Sequence, residues 1–444
     1  MRKMSWPLLV AAIAAAASAG CEGGSGGVDN GPDGDADSDT DTDVDSDTDS
    51  DSDSDTDSDG DTDVGGTGTL QGVVYAPSGT FPISGALVYI TSGDAVPIED
   101  NAYCYACDDM TGKKWTLSGP DGSWTLDGVM AGERNLVTRK GFFQRQRQIT
   151  VTGDLQDVPA EITTLPAEDS GDGLDTIPNY AVVQSGPDYP EDLLAKMGLG
   201  KLTTSGSLDT AQPFNFDLYA ESGYPDIGPT AHIFSSQEYL NQYHMVFFPC
   251  INTGMLAGNH IAELQAYVTA GGKIYSSCWA GHWVEKPFPD VIDFNGVDTI
   301  PSPGDVGSYV THGSVNDPAM RDWLDVVVND AAVSEPLLSG ETLDWYPFSG
   351  AWILIDSLNM STYAGHGLEE DGFNVVPRVW VTDLEEYPTH PLTLTYNYDC
   401  GKIFYSAYQV VESSTSALIR PQEWVLVYLF LEVGVCEGEY EDPE

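Results

Sequence analysis

Between residues 69 and 166 the hydrophobic positions fall in short runs separated by glycine and proline. The runs "TLQGVVYAP" and "GALVYIT" carry β-branched and aromatic residues at strand spacing. In "GPDGSWTLDGV" an Asp-Gly turn precedes Trp124 and Leu126, two apart, and "ERNLVTRKG" and "RQRQITVTGD" continue the meander. Several short strands within about 100 residues predict a small β-sandwich over 68–166. After the acidic, glycine-rich "AEDSGDGLD" the period changes. Apolar runs such as "YAVVQSG", "HMVFFPC" and "KIYSSC" alternate with the helical stretches "YPEDLLAKMGLG" and "AGNHIAELQAYVTAGG". Such alternation predicts an α/β domain over 178–436, built on a parallel sheet and ending in the helix "RPQEWVLVYLFLEVG".

No such pattern exists before residue 68. Residues 22–67 are glycine-rich and then carry aspartate at every odd position from Asp33 to Asp63. With no recurring apolar side chain, nothing offsets the entropy of folding, so this stretch is expected to be a disordered tether. Its like charges should extend it to on the order of 100 Å. "DTDSDG" (Asp55 to Gly60) matches the start of a calcium loop, but its twelfth position is Gly66 where a bidentate glutamate is needed. Only weak, diffuse calcium binding is expected, and no resident cofactor. Upstream, Arg2 and Lys3 precede an apolar run of about ten residues and small residues up to Cys21. This has the layout of a secretory signal and is short for a membrane span.

With 70 acidic and 17 basic residues, the net charge is −53. Nucleic acid is thereby excluded as a general partner, because phosphates would approach against the protein's own field. The positive charge is unevenly spread. Seven of the 17 basic residues fall between Lys113 and Arg147, and "RKGFFQRQRQ" sets Phe142 and Phe143 among Arg139, Lys140, Arg145 and Arg147. That strip is a candidate site for an acidic glycan or a phosphate-bearing lipid head group, the alternatives being ordinary solvated strand faces and an internal partner, the upstream aspartate repeat folded back onto it.

Three resemblances sharpen these readings. Ser18-Ala19-Gly20-Cys21 resembles the end of a bacterial lipoprotein signal, which implies removal of 1–20, a lipid on Cys21 and residence at the outer membrane or cell surface. "ISGALVYI" with "DGSWTLDGVMAGERNLVTRKG" resembles the carboxypeptidase regulatory-like domain, which implies a prealbumin-like sandwich without catalytic residues. "LQAYVTAGGKIYSSCWAGHWVE" with "THPLTLTYNYDCGKIFYSAYQ" resembles the class I glutamine amidotransferase-like superfamily, in particular its trehalose-utilisation branch, and implies a flavodoxin-like domain. In that superfamily Cys278 would be the nucleophile, flanked by the small Ser276 and Ala280, and His390 its base. The chain departs from the pattern twice. The glycine after the cysteine is displaced to Gly281, and Leu392 stands where the acid orienting the histidine belongs.

Six cysteines remain beside Cys21, an even number that suggests disulfides in an exported protein. Local spacing suggests Cys104 with Cys107, and strand and helix lengths suggest Cys400 with Cys436. Cys250 and Cys278 end successive strands joined by one helix, so they should lie together at one sheet edge. The pairs His260/Glu263 and His282/Glu285 have ligand spacing on a helix, but no third ligand lies nearby in sequence, and no metal is expected. Together these readings imply a membrane-anchored binding or scaffold protein with a non-catalytic α/β domain. The alternative is a hydrolase or transferase built around Cys278 and His390.

Overall fold

The computed structural model describes residues 66–220, 228–229, 231–250, 259–289, 291–295, 304–359, 377–410 and 416–436. Cys21, the signal-like segment and the aspartate repeat lie outside the described residues.

Eight strands form the first two sheets: β1 (Thr67–Val73), β2 (Leu87–Thr91), β3 (Lys114–Leu117), β4 (Ser123–Met130), β5 (Gly132–Lys140), β6 (Phe143–Val151), β7 (Leu155–Asp157) and β8 (Asp175–Thr176). One sheet has the order β4-β1-β7, the other β3-β2-β5-β6-β8. The alternation read from the sequence is what buries one face: in β4, Trp124 and Leu126 point inward while Ser123, Thr125 and Asp127 stay exposed. Gly122, at φ +75°, makes the turn ahead of β4, with Asp121 accepting from the Ser123 amide at 3.0 Å. The acidic connection contributes a strand of its own, since β8 pairs with β6.

The remaining strands are β9 (Tyr180–Val183), β10 (Asp217–Tyr219), β11 (Met245–Phe248), β12 (Lys273–Ser277), β13 (Ile292–Phe294), β14 (Asp305–Val315), β15 (Tyr346–Ile353), β16 (Ile355–Leu358), β17 (Arg378–Asp383), β18 (Pro391–Tyr398) and β19 (Gly401–Ser406). Nine of them make one sheet, in the order β10-β9-β11-β12-β19-β18-β17-β14-β15. Its first five strands are mutually parallel and the other four join antiparallel. The protein is therefore multidomain and sheet-rich with few helices. The parallel sheet expected for 178–436 accounts for only half of it, because residues 305–398 fold into antiparallel strands. β9, β11 and β12 are buried at every position, which is why they read as continuous apolar runs. The helix Pro421–Glu432 lays Phe430 against Phe247, Tyr275 and Phe404 on one face.

One hydrophobic core runs through both sets of sheets. Phe81, fully buried in the β1–β2 connection, meets Trp424 edge-on at 4.9 Å and Trp323 at 6.4 Å, and the Trp323 indole donates to the Pro82 carbonyl at 2.8 Å. The Ser78 amide donates to the Met197 carbonyl at 2.9 Å. There Gly198, at φ +110°, lies so close that a Cβ would reach 2.3 Å from the Ser78 nitrogen.

Candidate functional site

The carboxyl ends of the parallel strands are where an open α/β sheet ordinarily binds its ligand. The favoured place is the crevice where strand order reverses. Here the chain goes from β9 to β10 on one side and then to β11 on the other, so the reversal lies between β9 and β11. Asp188 fills it. This fully buried residue follows β9, and its carboxylate accepts from the Cys250 amide at 3.1 Å, the Ser277 hydroxyl at 2.7 Å and the Val410 amide at 2.7 Å. One side chain thus ties together the ends of β11, β12 and β19. Ser185 adds a hydrogen bond to the Cys250 carbonyl at 2.8 Å.

Cys278 stands at the end of β12 on a sharp strand-to-helix turn, with φ +49°, a backbone conformation that side-chain-bearing residues rarely adopt. The turn is braced by the Ser276 hydroxyl donating to the Ala280 carbonyl at 2.8 Å and by Tyr405 donating to the Cys278 carbonyl at 2.7 Å. The small residues read around Cys278 are there for packing, Ser276 and Ala280 both being fully buried. Cys278 is bonded to Cys250, with Cα atoms 4.8 Å apart, the pairing that two adjacent parallel strand ends suggest. A thiolate is the form that attacks, and a sulfur held in a disulfide supplies none. The next backbone N–H, that of Trp279, points at Cys250 Sγ at 3.5 Å. In a working strand-to-helix elbow that N–H serves an oxyanion, so the partner sulfur takes the oxyanion's donor.

His390 lies at the same sheet edge, just before β18, whose Thr393 is in register with Ser406, itself in register with Ser277. Its ring engages the Ile355 carbonyl through Nδ1 at 2.9 Å. A carbonyl fixes the tautomer but does not hold an imidazolium as a carboxylate would. Leu392, in the place of the expected acid, is core. His282 and Glu285 pair at 3.2 Å and His260 and Glu263 at 3.9 Å. Among the described residues, no three histidines, cysteines or acids come together as metal ligands.

The basic strip is not an open surface. Arg139, 3% exposed, is bound by Asp108 at 2.6 Å, the Tyr105 hydroxyl at 3.0 Å, the Val96 carbonyl at 2.5 Å and Gln144. Lys140 is buried against Glu432 at 2.8 Å. Arg145 and Arg147 both grip Asp175 of β8, at 3.0 and 2.6 Å. Phe143 is core, and Phe142 stacks on His244 with centroids 4.2 Å apart. Four of the six candidate ligand residues are thus buried in the fold, and the half-buried Arg145 and Arg147 are paired with Asp175. The partners come from Asp108, Asp175 and Glu432, the last 292 residues away, and no local pattern could have announced them.

What the strip forms is a seam. The turn at Gly141, φ +56°, packs on the backbone of Leu431 and Gly434, at the end of the last helix. Beside it the long β2–β3 loop crosses to the amino edge of the large sheet. Ala102 donates to the Asn241 carbonyl at 2.7 Å, and Cys104 and Cys107 reach across to Cys400 and Cys436. These pairings correct the two expected from spacing. Cys104 and Cys107 do not close their own loop, and Cys400 and Cys436 do not clip the C-terminus to β19; the four instead make two parallel staples from the loop. His244 sits in the seam, its Nδ1 accepting from the Asn179 amide at 2.8 Å and its Nε2 bonded to the Glu99 carbonyl at 2.7 Å. Burial, assisted by the charge of Lys273, lowers its pKa to about 4 against the opposing pull of the Glu99 bond.

Sequence reasoning missed Asp188 and His244. Asp188 left one legible signal, an acid five residues past the end of a buried strand.

No family model matches the chain, and no curated protein does. Among solved structures it is similar to the cytoplasmic protein STM3548 from Salmonella typhimurium, at 13% identity and a TM-score of 0.33, over 58% of this chain and 98% of that one. It is also similar to the cytoplasmic protein STM1381 from Salmonella typhimurium LT2, at 12% identity and a TM-score of 0.29, over 68% and 92%. A third is the GH42 β-galactosidase Gan42B, at 11% identity and a TM-score of 0.30, over 59% and 31%.

Proposed function

We propose that this protein is a surface binding protein, held to a membrane by a lipid on Cys21, whose α/β domain is an amidotransferase-like scaffold without hydrolytic activity. On this reading the first domain is a prealbumin-like, carboxypeptidase regulatory-like sandwich. The five parallel strands, in chain order 2-1-3-4-5, are the flavodoxin-like remnant of a catalytic fold. The observation that carries the reading is the bond between Cys278 and Cys250, with the Trp279 N–H turned on Cys250 Sγ. The nucleophile and the donor a reaction would need are both committed, and Asp188 is bonded to the strand ends beside them. An acidic glycan or lipid head group is no longer the favoured ligand, since the strip meant for it is internally neutralised.

One observation favours the hydrolase reading, namely the left-handed backbone of Cys278, which is the conformation an exposed nucleophile would use. A single experiment separates the two. Native protein is alkylated with iodoacetamide and mapped by mass spectrometry, with and without prior reduction. The binding reading expects Cys250 and Cys278 unmodified unless the protein is first reduced. Alkylated Cys278 beside a free Cys250 in unreduced protein would restore the enzyme.

A further inference from the structure

A cleft of about 500 Å³ opens at the opposite, amino edge of the parallel strands, away from Cys278. It lies at the starts of β9 and β10, just ahead of β11, and the acidic connection closes one side. A volume of this size suits a single sugar-sized molecule. Its floor is aromatic: Phe216 and Tyr243 are buried, and Phe214 is half-buried with its ring 5.1 Å from that of Phe216. Glu168 and Asp169 stand exposed at the rim, while Asp217 is half-buried inside.

The cleft's polar groups are lopsided. None of its lining residues is basic. Asn179 and Asn215 each spend an amide N–H on a backbone carbonyl, those of Asp100 and Ala167, both at 2.7 Å, which leaves each an acceptor oxygen and one N–H. The hydroxyls of Tyr239, Tyr219 and Tyr243 form a chain, at 2.9 and 2.7 Å, that ends with Tyr243 donating to Asp217 Oδ2 at 2.6 Å. That chain orients one oxygen of Asp217 and leaves the other for a ligand. Burial raises the Asp217 pKa despite the Tyr243 bond, so its ionised form gains from a cation brought alongside.

A site with surplus acceptors, net negative charge and an aromatic wall selects a ligand rich in N–H and O–H donors, positively charged, with an apolar C–H face. We propose that this cleft binds a small polyhydroxylated amine, an amino sugar, with its ammonium group at Asp217 and its ring against Phe214. This gives the binding reading above its ligand class. It uses no residue of the Cys278 edge, so the alkylation result and the test below can fail separately.

The full chain is titrated calorimetrically with glucosamine, N-acetylglucosamine and glucose, which differ at one carbon. Saturable binding of glucosamine is expected, with the two neutral sugars at least tenfold weaker. Asp217→Asn should weaken glucosamine at least tenfold. Glu168→Gln, on the exposed rim, should weaken it several-fold with an unchanged melting temperature, which covers the case in which the Asp217 variant misfolds. Equal affinity for glucose and glucosamine, absence of saturable binding, or glucosamine binding indifferent to both carboxylate variants would overturn the proposal; the last would place the amine on acidic sequence elsewhere.

Discussion

His244 makes the seam between the first two sheets and the large sheet sensitive to acid. Its ring accepts one hydrogen bond from Asn179, faces the Glu99 carbonyl with its other nitrogen and stacks on Phe142, an arrangement only the neutral tautomer satisfies. Protonation would put an N–H against the Asn179 amide and a second positive charge near Lys273. The folded pKa is about 4 against an ordinary 6.5, so between these values the unfolded chain binds a proton that the native protein refuses. Stability from this group is therefore complete above pH 6.5 and is lost as pH falls through 4. A depression of this size corresponds to about 3 kcal/mol. The measurement is urea unfolding at intervals from pH 7 to pH 4.5, for the wild type and for His244→Gln, which keeps a donor and an acceptor but does not titrate. The variant should be less stable at pH 7, because it loses the stacking on Phe142. Its stability should fall less steeply with acid than that of the wild type. Glu432, whose pKa burial raises but the charge of Lys140 lowers further, contributes to both proteins and cancels in the comparison. Parallel pH profiles for the two proteins would refute the assignment.

Two further predictions concern the same architecture. With Cys104–Cys400 in place, Cys107–Cys436 closes a ring of only about 40 residues, and the reverse holds equally, so removing either staple by paired serines should cost about 4 kcal/mol by chain entropy. Removing both should cost more than twice that, because the first bond closes a ring of roughly 300 residues; losses below 1 kcal/mol for the single removals, in urea unfolding, would count against the pairing. The buried pair Lys196–Glu423, at 2.8 Å with both side chains almost wholly inside, should cost about 3 to 5 kcal/mol when Lys196→Met removes one charge, whereas the double change Lys196→Met with Glu423→Gln should recover part of that loss. A double variant less stable than the single one, by the same unfolding assay, would show that the lone carboxylate is not the source of the cost.

The parts of the fold legible in the sequence were those whose partners are close along the chain. β11 and β12 announce themselves as apolar runs, and the single helix between them makes them neighbours, which is why Cys250 and Cys278 could be paired from sequence alone. The same local reasoning misplaced the other four cysteines. Only two residues separate Cys104 from Cys107, but their loop has no closure of its own to make; it is pinned by Asn241, His244 and the turn before β19, some 140 to 300 residues later. The antiparallel half of the large sheet was missed for a related reason. β14 and β15 alternate only loosely, their register shifts break the period, and β14 pairs at its far end with β17.

In a chain with 70 acidic and 17 basic residues, a cation finds an internal carboxylate more readily than a carboxylate finds a cation. Arg139 and Lys140 are therefore held inside by Asp108 and Glu432, and a single aspartate, Asp175, is shared between Arg145 and Arg147. In this chain the cluster of positive charge lies where the chain closes on itself, and its carboxylate partners offset the cost of taking those charges out of water. The surplus lies on the other side. Carboxylates without a basic neighbour, as in the cleft of Glu168, Asp169 and Asp217, are what such a composition leaves for an external partner, and they call for a cationic one.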